Sequence, residues 1–277
     1  MVLDTVPKEI LDKNPCLDEW AILSAYRGSV AHNMYVPNSD PNSIDDKDTM
    51  TVCVPPKAYY FGYPPGFGSN QIFPTNGTKE IKEGEWDIVA YEAKKFIGLL
   101  AQGNPNVLSL LWVDEAYLLK FTAEGGYLRQ HRGLFVGKHV YHSFVGYANG
   151  QLHRMTHFVG RGYMGEKRGK LVEKYGFDVK NACHLIRLLR MGIEFLNTGE
   201  LLVTRPDAAE LLEIKRGEWS IGQVEREAER LFRLSEEAWD ASRLPERPDY
   251  KAINQLSMTI IENALIRQER VYKSYDD

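Results

Sequence analysis

Three observations predict an α+β (α/β) fold: a small mixed β-sheet flanked by helices, followed by a mainly helical C-terminal half. Segments 20–26, 46–54 and 86–91 are short and apolar or alternating, as buried strands are, and all lie in the first hundred residues. Beyond residue 140 the apolar residues recur at helical spacing instead. Glycine and proline punctuate the boundaries, most densely at 61–78. With 277 residues, 43% of them hydrophobic and 26% charged, the chain can bury one large core or two small ones.

In chain order, residues 6–13 suit a short helix ahead of the first strand, which is the apolar run 20–26. The strand at 46–54 ends at Pro55 and Pro56, because proline cannot continue a ladder. The segment 61–78 reads as a long surface loop. The strand at 86–91 leads into an amphipathic helix, 92–101, stopped by Gly103 and Pro105, and residues 106–112 are apolar enough to be buried. A helix over 140–158 is followed by a basic, glycine-rich loop at 161–170, whose spacing matches no P-loop lysine. From 179 to 197, Ala182, Leu185, Ile186, Leu189, Ile193 and Leu196 mark the buried stripe of a helix that ends near Gly199. Three more helices are expected, at 207–214, 221–242 and 250–272.

Candidate chemistry centres on 28–54. Gly28-Ser29 directly follows the first strand, where a glycine allows a sharp turn and brings amides and a hydroxyl close to a ligand. Asp46 and Asp48 stand two positions apart at the entrance of the next strand, so their carboxylates face one way. Such a pair suits Mg²⁺, which binds a few carboxylates and completes its shell with water and phosphate. Asp40 is the rival lead carboxylate, but its second position would be Asn42 and no strand follows directly. The plainer alternative is that Asp40, Asp45, Asp46 and Asp48 are a solvated acidic loop. On the 179–197 helix, Lys180, His184 and Arg187 recur at steps of four and three and share a face suited to phosphate. The alternative there is ordinary surface cations.

The net charge of −4 conceals a polarised segment. Residues 128–190 hold twelve Lys/Arg and six of the seven histidines, opposed by Glu166, Glu173 and Asp178 alone. That composition suits a polyanion surface, with a solvated helical face paired from elsewhere in the fold as the alternative. Within it, Lys167, Arg168 and Lys170 are the candidate nucleic-acid contacts. The three cysteines form no metal or redox spacing, no run approaches membrane length, and the first residues lack a signal core, so a reduced, cytoplasmic protein is expected.

Several blocks in order carry a resemblance. Gly28-Ser29 with the Asp46-x-Asp48 strand resembles the signature of the DNA polymerase β-like nucleotidyltransferase superfamily, and 85–92 resembles its third-carboxylate strand, here with Asp87. The blocks at 104–112, 184–189 and 198–201 resemble the RNA-repair-pathway branch, common in bacteria and phages. The likeness spans roughly 17–220. One departure is the gap of residues 30–45 between Ser29 and Asp46, longer than is usual there. The resemblance implies a catalytic core over 1–125, with 126–277 completing the nucleotide and acceptor site. Asp46, Asp48 and Asp87 would be catalytic and hold two Mg²⁺ (Mn²⁺ as an alternative), roughly 3.5–4 Å apart. Gly28, Ser29, Lys180, His184 and Arg187 would bind a nucleoside triphosphate, and either Tyr91 or Tyr147 would stack on the base.

The expected activity is nucleotide transfer from a triphosphate to an RNA end, a tRNA being one candidate, with release of pyrophosphate. The alternatives are transfer to a protein hydroxyl, or a catalytically weak nucleotide- or RNA-binding protein. No membrane partner is expected, and the oligomeric state is not legible.

Overall fold

The computed structural model describes residues 3–37, 40, 43, 45–62, 72–157 and 166–273, with 157, 166–168 and 271–273 described by backbone alone. The first elements are α1 (Lys8–Lys13), β1 (Ala21–Tyr26), the single turn α2 (Gly28–Ala31) and β2 (Lys47–Cys53). They are followed by α3 (Lys57–Phe61), β3 (Thr78–Glu83), β4 (Trp86–Glu92), α4 (Ala93–Ala101), α5 (Pro105–Trp112), β5 (Leu118–Phe121) and α6 (Ala123–Gln130). Six helices complete the chain: α7 (Val140–His157), α8 (Glu166–Tyr175), α9 (Val179–Thr198), α10 (Ala208–Lys215), α11 (Ile221–Ala241) and α12 (Tyr250–Lys273). None of the helices in the described residues is long and apolar enough to cross a membrane.

The strands form one mixed sheet in the order β3-β4-β2-β1-β5, with β2 and β4 parallel and the other pairs antiparallel. Inner strand β1 is buried at every position, which explains its mostly apolar run. Edge strand β3 reads Thr-Lys-Glu-Ile-Lys-Glu and is mostly polar. Charge on an edge blocks pairing with another sheet, and it also hides the strand from an apolar-pattern reading.

Local caps place the elements around the site. Glu92 ends β4 and caps α4, accepting the Lys94 and Lys95 amides at 2.9 and 3.0 Å. Asn104 caps α5, with Pro105 at its first position. Asp178 caps α9, accepting the Lys180 and Asn181 amides, and Gly199 closes it in the left-handed conformation at φ 73°. One continuous hydrophobic cluster runs from Ile22, Met50 and Val52 in the sheet, through Phe96 and Leu100, to Phe144, Leu185 and Phe195. Helix α9 is its axis, packed by α7, α10 and α11, while α12 returns to cover α4 and α6.

Two expectations need correction. The expected 161–170 loop is helical from Glu166, in α8; residues 158–165 lie outside the described ones. Apart from Gly169, its residues are tolerable helix formers, and buried Val172 anchors them to the fold. Helix α9 is not a stripe: Cys183, Leu188, Met191 and Phe195 are buried as well, and Ile193 is only half-buried, because three helices surround it. Of the twelve cations of the basic run, three among the described residues are ion-paired from elsewhere in the fold. Arg132 meets Glu200, Lys138 meets Glu246, and Arg190 meets Asp207, Glu210 and Glu227. The expected loop at 61–78 is bounded by Phe61, the last residue of α3, and Thr78, the first of β3; residues 63–71 lie outside the described ones.

Candidate active site

The turn after β1 is tied to β2 by its backbone: the Arg27 N–H donates to the Asp48 carbonyl at 2.9 Å. Gly28 follows at φ 60°, and a Cβ there would lie 2.5 Å from Asp48 Oδ2. The left-handed backbone strains any side chain there, and the close carboxylate would have to shift to admit one.

Parallel pairing sets Asp48 directly beside Asp87. Arg27 Nη2 lies between them, 3.7 Å from Asp48 Oδ1 and 3.6 Å from Asp87 Oδ1. Lys82, opposite Asp87 on β3, approaches its Oδ2 to 3.0 Å. Asp46 is exposed just before β2, close enough for its charge to act on Asp48 and Lys82. The Asp48 carboxyl is pushed up to about 6, chiefly by burial and further by Asp87 and Asp46, against the opposing pull of Arg27 and Lys180.

Asp45, one residue earlier, has the opposite fate. It is 1% exposed, forms an ion pair with the Lys215 ammonium of α10, and accepts the Val36 N–H at 2.9 Å. An extended chain alternates its side chains, so the residue next to an outward carboxylate points inward.

A cavity of about 150 Å³ opens beside Asp48. The turn contributes Arg27, Gly28, Ser29 and His32; α5 and α7 contribute Asn106, Ser109 and Gln151; α9 contributes Lys180, His184 and Arg187. The buried atoms Ser29 Oγ, Gln151 Oε1, Arg27 Nε and Arg187 Nε on its lining have no hydrogen-bond partner. Unpaired buried polar atoms are costly, and here they surround a space that a polar ligand can enter.

Arg187 is buried yet cationic. Its Nη1 donates to His32 Nε2 at 2.6 Å, which leaves the His32 Nδ1–H to donate to the Val203 carbonyl at 2.7 Å. Burial, then the Arg187 charge, holds His32 well below its ordinary range, so it accepts as a neutral imidazole. The same two causes act in that order on His184. Burial also lowers Arg187 to about 10, which leaves it charged at neutral pH.

The structure thus brings Gly28, Ser29, Asp48, Lys180, His184 and Arg187 to one cavity, with Asp46 and Asp87 beside it. Lys170 is exposed on α8, and the Lys167 and Arg168 side chains lie outside the described ones. Tyr91 packs against Phe96, and the Tyr147 hydroxyl accepts from Asn104; neither lines the cavity. Arg27, His32, Lys82, Asn106, Ser109 and Gln151 were not foreseen. Arg27 and His32 flank Gly28-Ser29 closely enough to have drawn notice, whereas Gln151 carries no local signal. Asp48 and Asp87 present carboxylate oxygens at an open sheet end beside unpaired phosphate-type donors, a donor set that fits a hard divalent cation. Among the described residues, no three His, Cys, Asp or Glu groups stand together at metal-holding distances.

A mixed sheet that carries a carboxylate pair beside a Gly-Ser turn, with a cationic helix across the cavity, is the arrangement that the resemblance to polymerase β-like nucleotidyltransferases implies. The RNA repair pathway DNA polymerase beta family matches residues 27–259, and the chain belongs to it. No curated protein matches the sequence.

Proposed function

We propose that the protein is a divalent-metal-dependent nucleotidyltransferase that moves a nucleotide from a triphosphate to an RNA end. The observation that carries this reading is the in-register pair Asp48–Asp87 beside a cavity lined by Ser29, Lys180 and Arg187. Asp46, Asp48 and Asp87 would hold Mg²⁺ or Mn²⁺, which when bound supplies Lewis-acid activation of the attacking hydroxyl and charge compensation for the phosphates. The Ser29 hydroxyl and the Lys180 and Arg187 cations receive the triphosphate and stabilise the charge that builds on the leaving group. An acceptor oxygen attacks the α-phosphorus, the bond to the bridging oxygen breaks, and pyrophosphate leaves. Asp87, half-exposed at the sheet end, takes the acceptor proton.

The family description favours RNA as acceptor. The internal pairing of Arg132, Lys138 and Arg190 favours a second reading, transfer to a protein hydroxyl, because it shrinks the cationic surface left for a polynucleotide. Incubation with each α-labelled triphosphate, Mg²⁺, total RNA and cell protein separates them. Label in RNA, lost in Asp48→Asn, supports the first reading and label in protein the second. Absence of label in both counts against transferase activity.

A further inference from the structure

Arg27 has its backbone fixed and its guanidinium loosely held. Its N–H is fastened to the Asp48 carbonyl, so the side chain starts from a set point at the mouth of the sheet. Nη2 stands 3.7 and 3.6 Å from the two Oδ1 atoms, within ion-pair range but beyond a good hydrogen bond. Nε is buried without a partner, and the side chain also lines the cavity. An arginine placed for the fold alone looks different: Arg205 bonds Glu194 through two nitrogens at 2.6 and 2.8 Å and Asp207 through its third at 2.8 Å.

We propose that Arg27 is the counter-ion that Asp48 and Asp87 exchange for a divalent cation, and that the displaced guanidinium turns into the cavity to grip the triphosphate. This inference rests on the nucleotidyltransferase reading. The two occupants compete for the same oxygens. A hard divalent ion binds carboxylate at about 2.1 Å, where its double charge outweighs a guanidinium at Arg27's separation. With Lys82 also on Asp87, holding both would set four positive charges against the three carboxylates Asp46, Asp48 and Asp87, so the guanidinium leaves. Its planar fork suits phosphate oxygens, and the unpaired Nε is then used. Metal entry thereby frees a phosphate ligand, and triphosphate in turn draws Arg27 off the carboxylates. Lys82 is the built-in contrast: it pairs with Asp87 but is 72% exposed and lies outside the cavity, so it only screens.

The test measures two affinities on the intact protein: Mn²⁺ by electron paramagnetic resonance, and inorganic tripolyphosphate in EDTA by calorimetry. Arg27→Gln should tighten Mn²⁺ by about three- to tenfold and weaken tripolyphosphate by about tenfold. Lys82→Gln should tighten Mn²⁺ by less and leave tripolyphosphate unchanged. Arg27→Lys keeps the charge without the fork, so it should hold Mn²⁺ near wild type and still lose tripolyphosphate affinity; this variant decides the matter if Arg27→Gln fails to fold. Unchanged or weaker Mn²⁺ binding in Arg27→Gln overturns the proposal, as does unchanged tripolyphosphate binding in either Arg27 variant. A wild type whose Mn²⁺ binding is absent, or indifferent to Asp48→Asn, would instead sink the nucleotidyltransferase reading itself.

Discussion

Two regions of this protein gather arginines and carboxylates, and they use them in opposite ways. Where α9, α10 and α11 meet, Arg190 and Arg205 are each held by close bonds to carboxylates. Arg205, 2% exposed, forks onto Glu194 and Asp207, and Arg190 reaches Asp207 at 2.8 Å, Glu210 at 2.7 Å and Glu227 at 3.1 Å. At the sheet end, Arg27 faces Asp48 and Asp87 without a close bond to either. The carboxyls register the difference. Burial pushes Asp207 up, but hydrogen bonds from Arg205 and Arg190 outweigh it and hold the group below its ordinary range, whereas Asp48 rises to about 6. Completed ion pairs hold helices together, and incomplete ones leave bonding capacity for a ligand.

The sharpest way to break this contrast is to neutralise one member of each region. Asp48→Asn should lower transfer by about two to three orders of magnitude, the scale of one lost electrostatic group in a site. Its melting midpoint in EDTA should hold or rise, because repulsion from Asp87 is relieved. Full activity would refute the carboxylate assignment, and activity lost only with Asp40→Asn would move it to the rival position. Arg205→Ala should do the reverse, costing about 3–5 kcal/mol in denaturant unfolding because Glu194 and Asp207 lose their buried partner. The activity of the molecules that remain folded should be unchanged.

Arg187→Ala, in the cavity, should weaken triphosphate binding by about 1.5–3 kcal/mol, read by calorimetry. An unchanged titration would make it a packing residue held by His32. Acid should probe the two regions in sequence. His32 is held far below its ordinary 6.5, so the unfolded chain binds its proton first and stability falls as pH drops below 6.5. Asp207 and Glu227 are held below their ordinary values, so their stabilisation is full above those values and is lost as pH falls through the lower folded ones. Thermal midpoints against pH should therefore decline in two stages, the first shared by His32 and His184 and partly offset by Asp48, whose raised carboxyl takes up its proton first in the folded chain. His32→Gln should shrink the first stage and leave the second.

The smallest effect expected is on salt dependence. If the acceptor is RNA, replacing Lys167, Arg168 and Lys170 with alanine should flatten the slope of affinity against salt by about one unit for each lost phosphate contact. A flat slope in the wild type would favour a protein acceptor.

What was legible follows from where pattern is strong. Strands β1, β2 and β4 are largely buried and announce themselves as apolar or alternating runs, whereas β3, with only Ile81 apolar, and the four-residue β5 do not. Lys180, His184 and Arg187 could be grouped because helical spacing alone puts them on one face. Arg187's partner could not be read, because His32 lies 155 positions away and meets it only after α9 packs against the turn. The two readings of the charged segment could not be told apart for the same reason: the acids that pair Arg132 and Arg190, among them Glu200, Asp207 and Glu227, come from later in the chain.

Sequence alone determined the periods: which residues alternate, which share a helical face, and that Gly28 precedes a strand entered through Asp46 and Asp48. Only the tertiary structure decided which of the adjacent carboxylates Asp45 and Asp46 is buried against Lys215 and which faces solvent, and that Arg27 stands between Asp48 and Asp87. The reason is range. Steric and hydrogen-bond preferences act over a few residues and leave a repeat in the sequence, whereas burial and charge pairing act between segments that folding alone brings together.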